Sequence, residues 1–335
     1  MGLIGCSGGG DKSTPEPQTK SEAPKTEATK GLKVGVVFDS GGRGDKSFND
    51  SAYAGIEKAT KDLGIESKTV DSRSEKDYET NLSALADEGL DVIFAVGITQ
   101  ANALKAVAPK YPTTKFAIID GDVAGENVRS LQFAENEGSF LAGFAAGLAT
   151  KTNKIGFVGG MSIPLIKKFE AGYIAGAKAA NPKVEALPSK YTENWNDTGL
   201  GKAAAQTLFA GGADVVYHAA GRCGIGVITA AREAGKLAIG VDSDQDDIAK
   251  GFVLTSMIKR VDEAVYQTIK DVKDGNFTSG VKSYDLKSNG VGLSDFRNTK
   301  DKIGPDGLKK LDDIKAKLIS GQIKAPASLE ELNKK

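Results

Sequence analysis

The chain has 335 residues, 44 basic and 44 acidic side chains, one histidine (His218) and two cysteines, Cys6 and Cys223. That length holds two ordinary domains with a sizeable core. The charge balance excludes a general nucleic-acid footprint, one histidine excludes a His-based metal cluster, two cysteines make neither a disulfide framework nor a metal site, and no apolar run approaches the roughly 18 residues of a membrane helix.

In chain order, Leu3-Ile4-Gly5-Cys6 comes first and fits the lipobox pattern, in which the cysteine becomes a lipidated first residue. No basic and apolar signal region stands ahead of it here, and a precursor with such a region upstream of Leu3 is expected. Ser7 to Lys30 is Gly, Ser, Thr, Pro, Glu and Lys with almost no apolar residue. It cannot bury enough surface to fold, and reads as a tether.

From Lys33 strand and helix patterns alternate. Val34 to Phe38 is a β-branched strand, Asp39 to Asn49 a Gly-rich loop, and Ala52, Ile56, Ala59 and Leu63 mark a helix. Strands follow at Leu90–Gly97, Lys115–Asp120 and Val128–Phe133, with helices at Tyr78–Glu88 and Gln100–Ala108, the latter stopped by Pro109 and Pro112. Glu137 to Ala149 is a helix of small residues whose Gly138, Gly143 and Gly147 point to close packing. A second cycle places strands at Lys154–Gly160, Val184–Tyr191, Ala213–Ala219, Leu237–Asp242 and Phe252–Met257. Its helices fall at Lys167–Ala180, Gly199–Ala210, Gly226–Ala234 and Val261–Gly275. From Tyr284 the chain is polar and Gly-rich until a last helix, Pro305 to Ser320.

This alternation predicts an α/β molecule of parallel sheets covered on both faces. The restart at Lys154 divides it into a tether (1–30), a first lobe (31–152, with about 256–280 returning to it) and a second lobe (153–255). The stretch from about 281 to 330 crosses back and ends in the last helix.

Asp39, Asp120 and Asp242 each follow an apolar strand directly. One such aspartate is ordinary turn chemistry; three at the same topological position point to the strand ends where open α/β sheets bind ligands. Carboxylates there suit a neutral polyol or amide, whose O–H and N–H groups donate to them. Phe48 and Trp195 sit in polar loops. Each could simply cover an apolar patch; the functional alternative is a pair of plates, one from each lobe, around an aromatic ring. Tyr217 lies within a strand, where core packing is expected. Neither Gly41-Gly42-Arg43-Gly44 nor Ala220-Gly221-Arg222-Cys223-Gly224 has the Walker form or a clean G-x-G-x-x-G, so their glycines serve turns or close backbone approach. The acidic run Asp242 to Asp247 fails the EF-hand pattern, with Asp247 where Gly and Val253 where Glu is needed. Cys223 and His218 have no oriented third partner, so neither catalysis nor a cofactor is expected.

Five segments carry a resemblance: Asp45-Lys46-Ser47-Phe48-Asn49, Phe116 to Asp120, Glu137 to Gly143, Gly240 to Gln245, and Leu254 to Val261. In this order the chain resembles the basic membrane protein (Bmp) family of bacterial lipoproteins. These are purine nucleoside receptor-like substrate-binding proteins of ABC transporters. The resemblance implies a type I periplasmic-binding-protein fold, with two doubly wound parallel-sheet lobes joined by a three-stranded hinge and ligand in the cleft. It implies that Asn49 and Asp120 hydrogen-bond a base, Phe48 stacks on it, and Asp242 and Lys259 hold ribose hydroxyls. Asp39 would also touch the ligand, and Gly221 would bring backbone near the sugar. Trp195 takes the second stacking position, an aromatic larger than the usual Phe. Asp242 and Lys259 are expected to pair with each other. The implied role is a monomeric, non-catalytic protein, held on the outer face of the cell membrane only by a lipid on Cys6. It would pass a nucleoside to an ABC permease and bind neither nucleic acid nor metal. A sugar or furanose-signal binder of the same fold, and a nucleoside hydrolase, are the alternatives. A repressor is set aside because the N-terminal segment carries no helix-turn-helix pattern.

Overall fold

The structure, a computed structural model, describes Met1 and residues 31–334. Cys6 and the tether lie outside the described residues. The first cycle runs β1 (Lys33–Phe38), α1 (Phe48–Leu63), β2 (Glu66–Asp71), α2 (Tyr78–Asp87), β3 (Val92–Val96), α3 (Ala101–Val107), β4 (Lys115–Ile119), β5 (Val128–Phe133) and α4 (Glu135–Ala149). The second runs β6 (Lys154–Gly159), α5 (Pro164–Ala180), β7 (Glu185–Ala186), β8 (Lys190–Tyr191), α6 (Thr198–Ala210), β9 (Val215–Ala219), α7 (Cys223–Ala234), β10 (Leu237–Asp242) and β11 (Val253–Lys259). The chain then continues through α8 (Val261–Lys273), β12 (Gly280–Tyr284), β13 (Val291–Leu293), α9 (Lys300–Ile319) and α10 (Leu329–Asn333).

Two sheets result, one per lobe. The first has the order β12-β5-β4-β3-β1-β2, all parallel. The second has the order β13-β11-β10-β9-β6-β7, with β8 also on β6 and only β13 antiparallel. Central strands such as β3 and β9 are buried on both faces, as sheets covered by helices on each side require. In the first sheet the order reverses at β1, in the second at β6, so the loops after β1 and β3 diverge, as do those after β6 and β9. Those divergences form the crevices in which open α/β sheets hold ligands.

The lobe limits differ from the expected ones at three places, one of them the second crossing, which falls at Arg260 after β11 rather than at about 256. Helix α4 packs on α5, α9, β11 and β13, so the first crossing falls at Ala134 rather than at 152. The glycines are the cause: a Cβ at Gly143 would overlap the Tyr173 carbonyl, one at Gly147 the Ala177 carbonyl, and one at Gly176 the Phe140 carbonyl. Strand β12 belongs to the first sheet, and the last crossing comes after Tyr284 rather than at 281. Crossings at Ala134, Arg260 and 285–290 are tied side by side, Ala134 N–H to Tyr284 carbonyl at 2.8 Å and Arg260 N–H to Gly290 carbonyl at 2.9 Å.

The polar strand β2 was not expected; it is a sheet edge with a mostly exposed surface, so it carries no apolar run. The single strand expected over Val184–Tyr191 is split into β7 and β8, and Pro188 between them has no N–H to give the ladder. Helix α9 is broken at Gly304 (φ 66°), just ahead of the Pro305 start read from the sequence.

Candidate functional site

The loops at the two reversals face each other across one cavity, with about 630 Å³ of empty space counting the part open to solvent. All eight residues singled out beyond the tether line it: Asp39, Phe48, Asn49, Asp120, Trp195, Gly221, Asp242 and Lys259. Phe48 opens α1 of the first lobe, while Trp195 comes from the β8–α6 loop of the second. The indole lies so close over the β6 terminus that a Cβ at Gly160 would run into it. Tyr217 is core, as expected, its hydroxyl 3.1 Å from Ser139 Oγ and its ring against Phe157 and Tyr173.

At one end of the cavity Asp39 Oδ1 accepts from Gly41 N–H at 2.8 Å and from Asn49 Nδ2 at 3.0 Å. Asn49 Nδ2 also reaches Asp45 Oδ2 at 3.2 Å. Asp45 in turn accepts the N–H groups of Ser47, Asn49 and Asp50, which holds the start of α1 in place. Burial pushes the Asp39 carboxyl up to about 6 despite the Asn49 and Gly41 bonds.

The other end is built around Lys259, 1% exposed at the end of β11. Its ammonium lies 2.6 Å from Asp120 Oδ2 and 3.2 Å from Glu135 Oε1. It is also 4.9, 5.2 and 5.5 Å from the ring centroids of Phe133, Phe48 and Phe169, within cation–π range. Glu135 shares its second oxygen with Lys168 at 2.7 Å. Burial alone would depress the Lys259 ammonium, but Asp120, Glu135 and Asp242 outweigh it and raise it. Burial pushes Asp120 up to about 6, against the pull of Lys259, and Asp242 up to about 7. Asp120 (φ 67°) and Asp242 (φ 65°) share the left-handed backbone conformation at the ends of β4 and β10. Such strain collects at functional sites, and Asp tolerates it better than most residues.

Two expectations change here. Lys259 pairs with Asp120 and Glu135, not with Asp242; the Asp242 carboxylate instead accepts the Ser47 hydroxyl from the opposite lobe. Asp120 stands with Lys259 rather than with Asn49, so it does not share the Asn49 end of the cavity. The reason is topological: β4 and β11 end facing one another, and the long Lys259 stem spans the space between them.

Sequence reasoning missed Glu135, Phe133, Phe169, Arg222 and Gln245. Glu135 falls just ahead of the helix read from Glu137, and Phe169 lies in the helix Lys167–Ala180, where no site residue was singled out. Gln245 bridges the lobes, its Nε2 donating to Lys46 carbonyl at 3.0 Å. Its Oε1 accepts from Val241 N–H at 3.0 Å and lies 3.0 Å from His218 Nε2. Burial takes His218 down to about 4, so the ring is neutral at pH 7. Asn196 Nδ2 to Ser40 carbonyl and Arg222 Nη2 to Arg43 carbonyl at 2.7 Å add further bridges. The lobes are therefore closed on one another. Arg297 pairs with Asp244 at 3.1 Å, beside the acidic run, and no helix of the described residues is long and apolar enough to cross a membrane.

Comparison with known proteins adds a second line of support for this architecture. Residues 32–328 match the family model described as ABC transporter substrate-binding protein PnrA-like. The chain is 38% identical to a CD4+ T-cell-stimulating antigen of Listeria monocytogenes, covering 89% of each chain. It is 37% identical to the ABC transporter nucleoside-binding protein BmpA of Lactococcus lactis, covering 88% of this chain and 89% of the relative. Among solved structures, an ABC transporter solute-binding protein from Aeropyrum pernix superposes with a TM-score of 0.83 at 33% identity, covering 90% of this chain and 95% of that one. The chain belongs to the PnrA-like family of ABC transporter substrate-binding proteins.

Proposed function

We propose that the protein captures nucleosides, purine nucleosides foremost, in the interlobe cavity and delivers them to an ABC permease. The observation that carries this reading is the pairing of Phe48 and Trp195, from opposite lobes, on one cavity that also holds carboxylates at both ends. The base would lie between the two rings, facing Asp39 and Asn49. The sugar hydroxyls would donate to Asp120 and Asp242 and accept from Lys259, with the Gly221 backbone alongside. This moves Asp120 from the base to the sugar, because its Oδ2 is bound to Lys259 at that end while its buried Oδ1 has no partner among the described residues and is left for a hydroxyl.

The charges favour a neutral ligand. Lys259 is matched by Asp120 and Glu135, and Asp39 and Asp242 add further negative potential, so a 5′-phosphate would meet repulsion. The name of the Lactococcus lactis relative supports a nucleoside. No bond is broken in this account: closure of the lobes buries the ligand. Attachment to the outer face of the membrane through a lipid on Cys6 is part of the proposal. Cys6→Ser should release the full-length precursor's product from the membrane fraction, and unchanged fractionation would remove the anchor.

Calorimetric titration across nucleosides, free bases, pentoses and nucleoside monophosphates tests the ligand class. Nucleosides should bind and remain intact by chromatography, while ribose and monophosphates should bind far more weakly. Release of free base would instead mark a hydrolase.

A further inference from the structure

The end of the cavity that holds Asp39 and Asn49 offers a defined set of unused hydrogen-bonding groups. Asn49 Nδ2 spends its two hydrogens on Asp39 Oδ1 (3.0 Å) and Asp45 Oδ2 (3.2 Å). Turning the amide over would set its oxygen against two carboxylates, so the network fixes the orientation. Asn49 Oδ1 is then an acceptor, buried and without a partner among the described residues. Asp39 commits Oδ1 to Gly41 and Asn49, and Oδ2 takes part in neither bond.

A buried donor lies on the same cavity. Arg222 follows Gly221 at the second lobe's reversal and lines the same cavity. Its Nη2 donates to the Arg43 carbonyl at 2.7 Å, which holds the guanidinium against the loop that begins at Asp39. Its Nε–H is buried with no partner among the described residues. Gly221 lies against Trp195, a Cβ there falling 3.7 Å from the indole Cε3, and Arg222 is the next residue along the chain. Leaving such a donor or acceptor unmatched in a closed site is costly, and the ligand that matches all of them gains most.

We infer that this end of the site selects a 6-oxopurine, guanosine above all, with Arg222 Nε donating to the exocyclic oxygen and Asn49 and Asp39 accepting from the ring N1–H and the 2-amino group. The inference rests on the nucleoside reading above. Guanine presents an acceptor and two donors side by side on one edge, the complement of one donor and two acceptors. Hypoxanthine lacks one donor. Adenine places an amino group where the oxygen is required and a bare ring nitrogen where the N–H is required.

The test is calorimetric titration of wild type and Arg222→Met with guanosine, inosine, adenosine and N1-methylguanosine. Wild type should rank guanosine over inosine over adenosine, with guanosine ahead of adenosine by about tenfold or more, as expected for hydrogen bonds to charged groups. N1-methylguanosine should lose most of guanosine's affinity. In Arg222→Met the guanosine-to-adenosine ratio should fall several-fold, leaving only the part set by Asn49 and Asp39. Loss of the Arg43 bridge alone would weaken every ligand alike and leave that ratio unchanged, so an unchanged ratio overturns the role of Arg222. Adenosine binding wild type as tightly as guanosine also overturns the inference and leaves the nucleoside reading standing. Absence of binding by all four removes both.

Discussion

Lys259 stays charged in a buried site because two carboxylates and three aromatic rings close around it. Removing one partner of such a cluster leaves the others uncompensated. Lys259→Met should therefore destabilise the protein by about 3–5 kcal/mol in urea unfolding, as for other broken buried pairs. A loss below 1 kcal/mol would mean that Asp120 and Glu135 do not depend on Lys259 for charge compensation. The carboxyls give a second expectation. Asp39 and Asp120 stand at about 6 and Asp242 at about 7, above the ordinary value of 3.8, so the folded protein holds more protons than the unfolded chain between these values. Their contribution to stability is fully present below about pH 4 and is lost as pH rises through 6 to 7. Ligand hydroxyl and N–H donors favour the ionised carboxylates, which shifts these groups back down. Nucleoside binding should then release protons near pH 6 to 7 and tighten from pH 5 to 8. Calorimetry in buffers of different ionisation enthalpy reads that release directly, and proton uptake would contradict it. At this scale the aspartates were legible because each ends an apolar run, and the aromatics because they interrupt polar loops. The partners of Lys259 were not: which carboxylate faces which ammonium depends on where β4 and β11 end in space.

Helix α4 shows how a run of glycines becomes a joint. Gly138, Gly143 and Gly147 let it settle against Met257 and the carbonyls of α5, while its first residue, Glu135, links Lys259 to Lys168. One helix thus joins the packing of the second lobe to the charge cluster of the site. Gly143→Leu should cost about 1–3 kcal/mol or more of stability, the range for overpacking, because the Tyr173 backbone cannot yield as a side chain would. A thermal midpoint equal to wild type would show that the helices have room to separate. The close packing of α4 could be read from its small residues, and the strand–helix alternation gave the strand ends from which the site is built. The edge strand β2 could not be read, since exposed Glu66, Ser67 and Lys68 give no apolar period. Nor could β12, whose partner β5 lies some 150 residues earlier (Gly280 pairs with Arg129).

The two lobes meet through bonds made by loops, Ser47 to Asp242, Gln245 to Lys46 and Arg222 to Arg43, so closure and the site share residues. A ligand pressed between the lobes would strengthen those bridges, and an open form would separate Phe48 from Trp195. The fold of the whole molecule was visible in the repeated cycle, but not the lobe to which α4 belongs, because sequence order places it in the first cycle while its packing places it in the second. Each aromatic plate is expected to contribute stacking of about 1–3 kcal/mol, and a cycle of Phe48→Ala and Trp195→Ala should be non-additive because closure depends on both. Trp195 is the sole tryptophan of the chain, so its emission reports on the cleft without labelling. Titration of that fluorescence with guanosine and, separately, with ribose reports whether a base enters between Phe48 and Trp195. A saturable change is expected with the nucleoside and a flat response with ribose. A ribose response as large as the nucleoside's, or silence with every nucleoside tried, would contradict it.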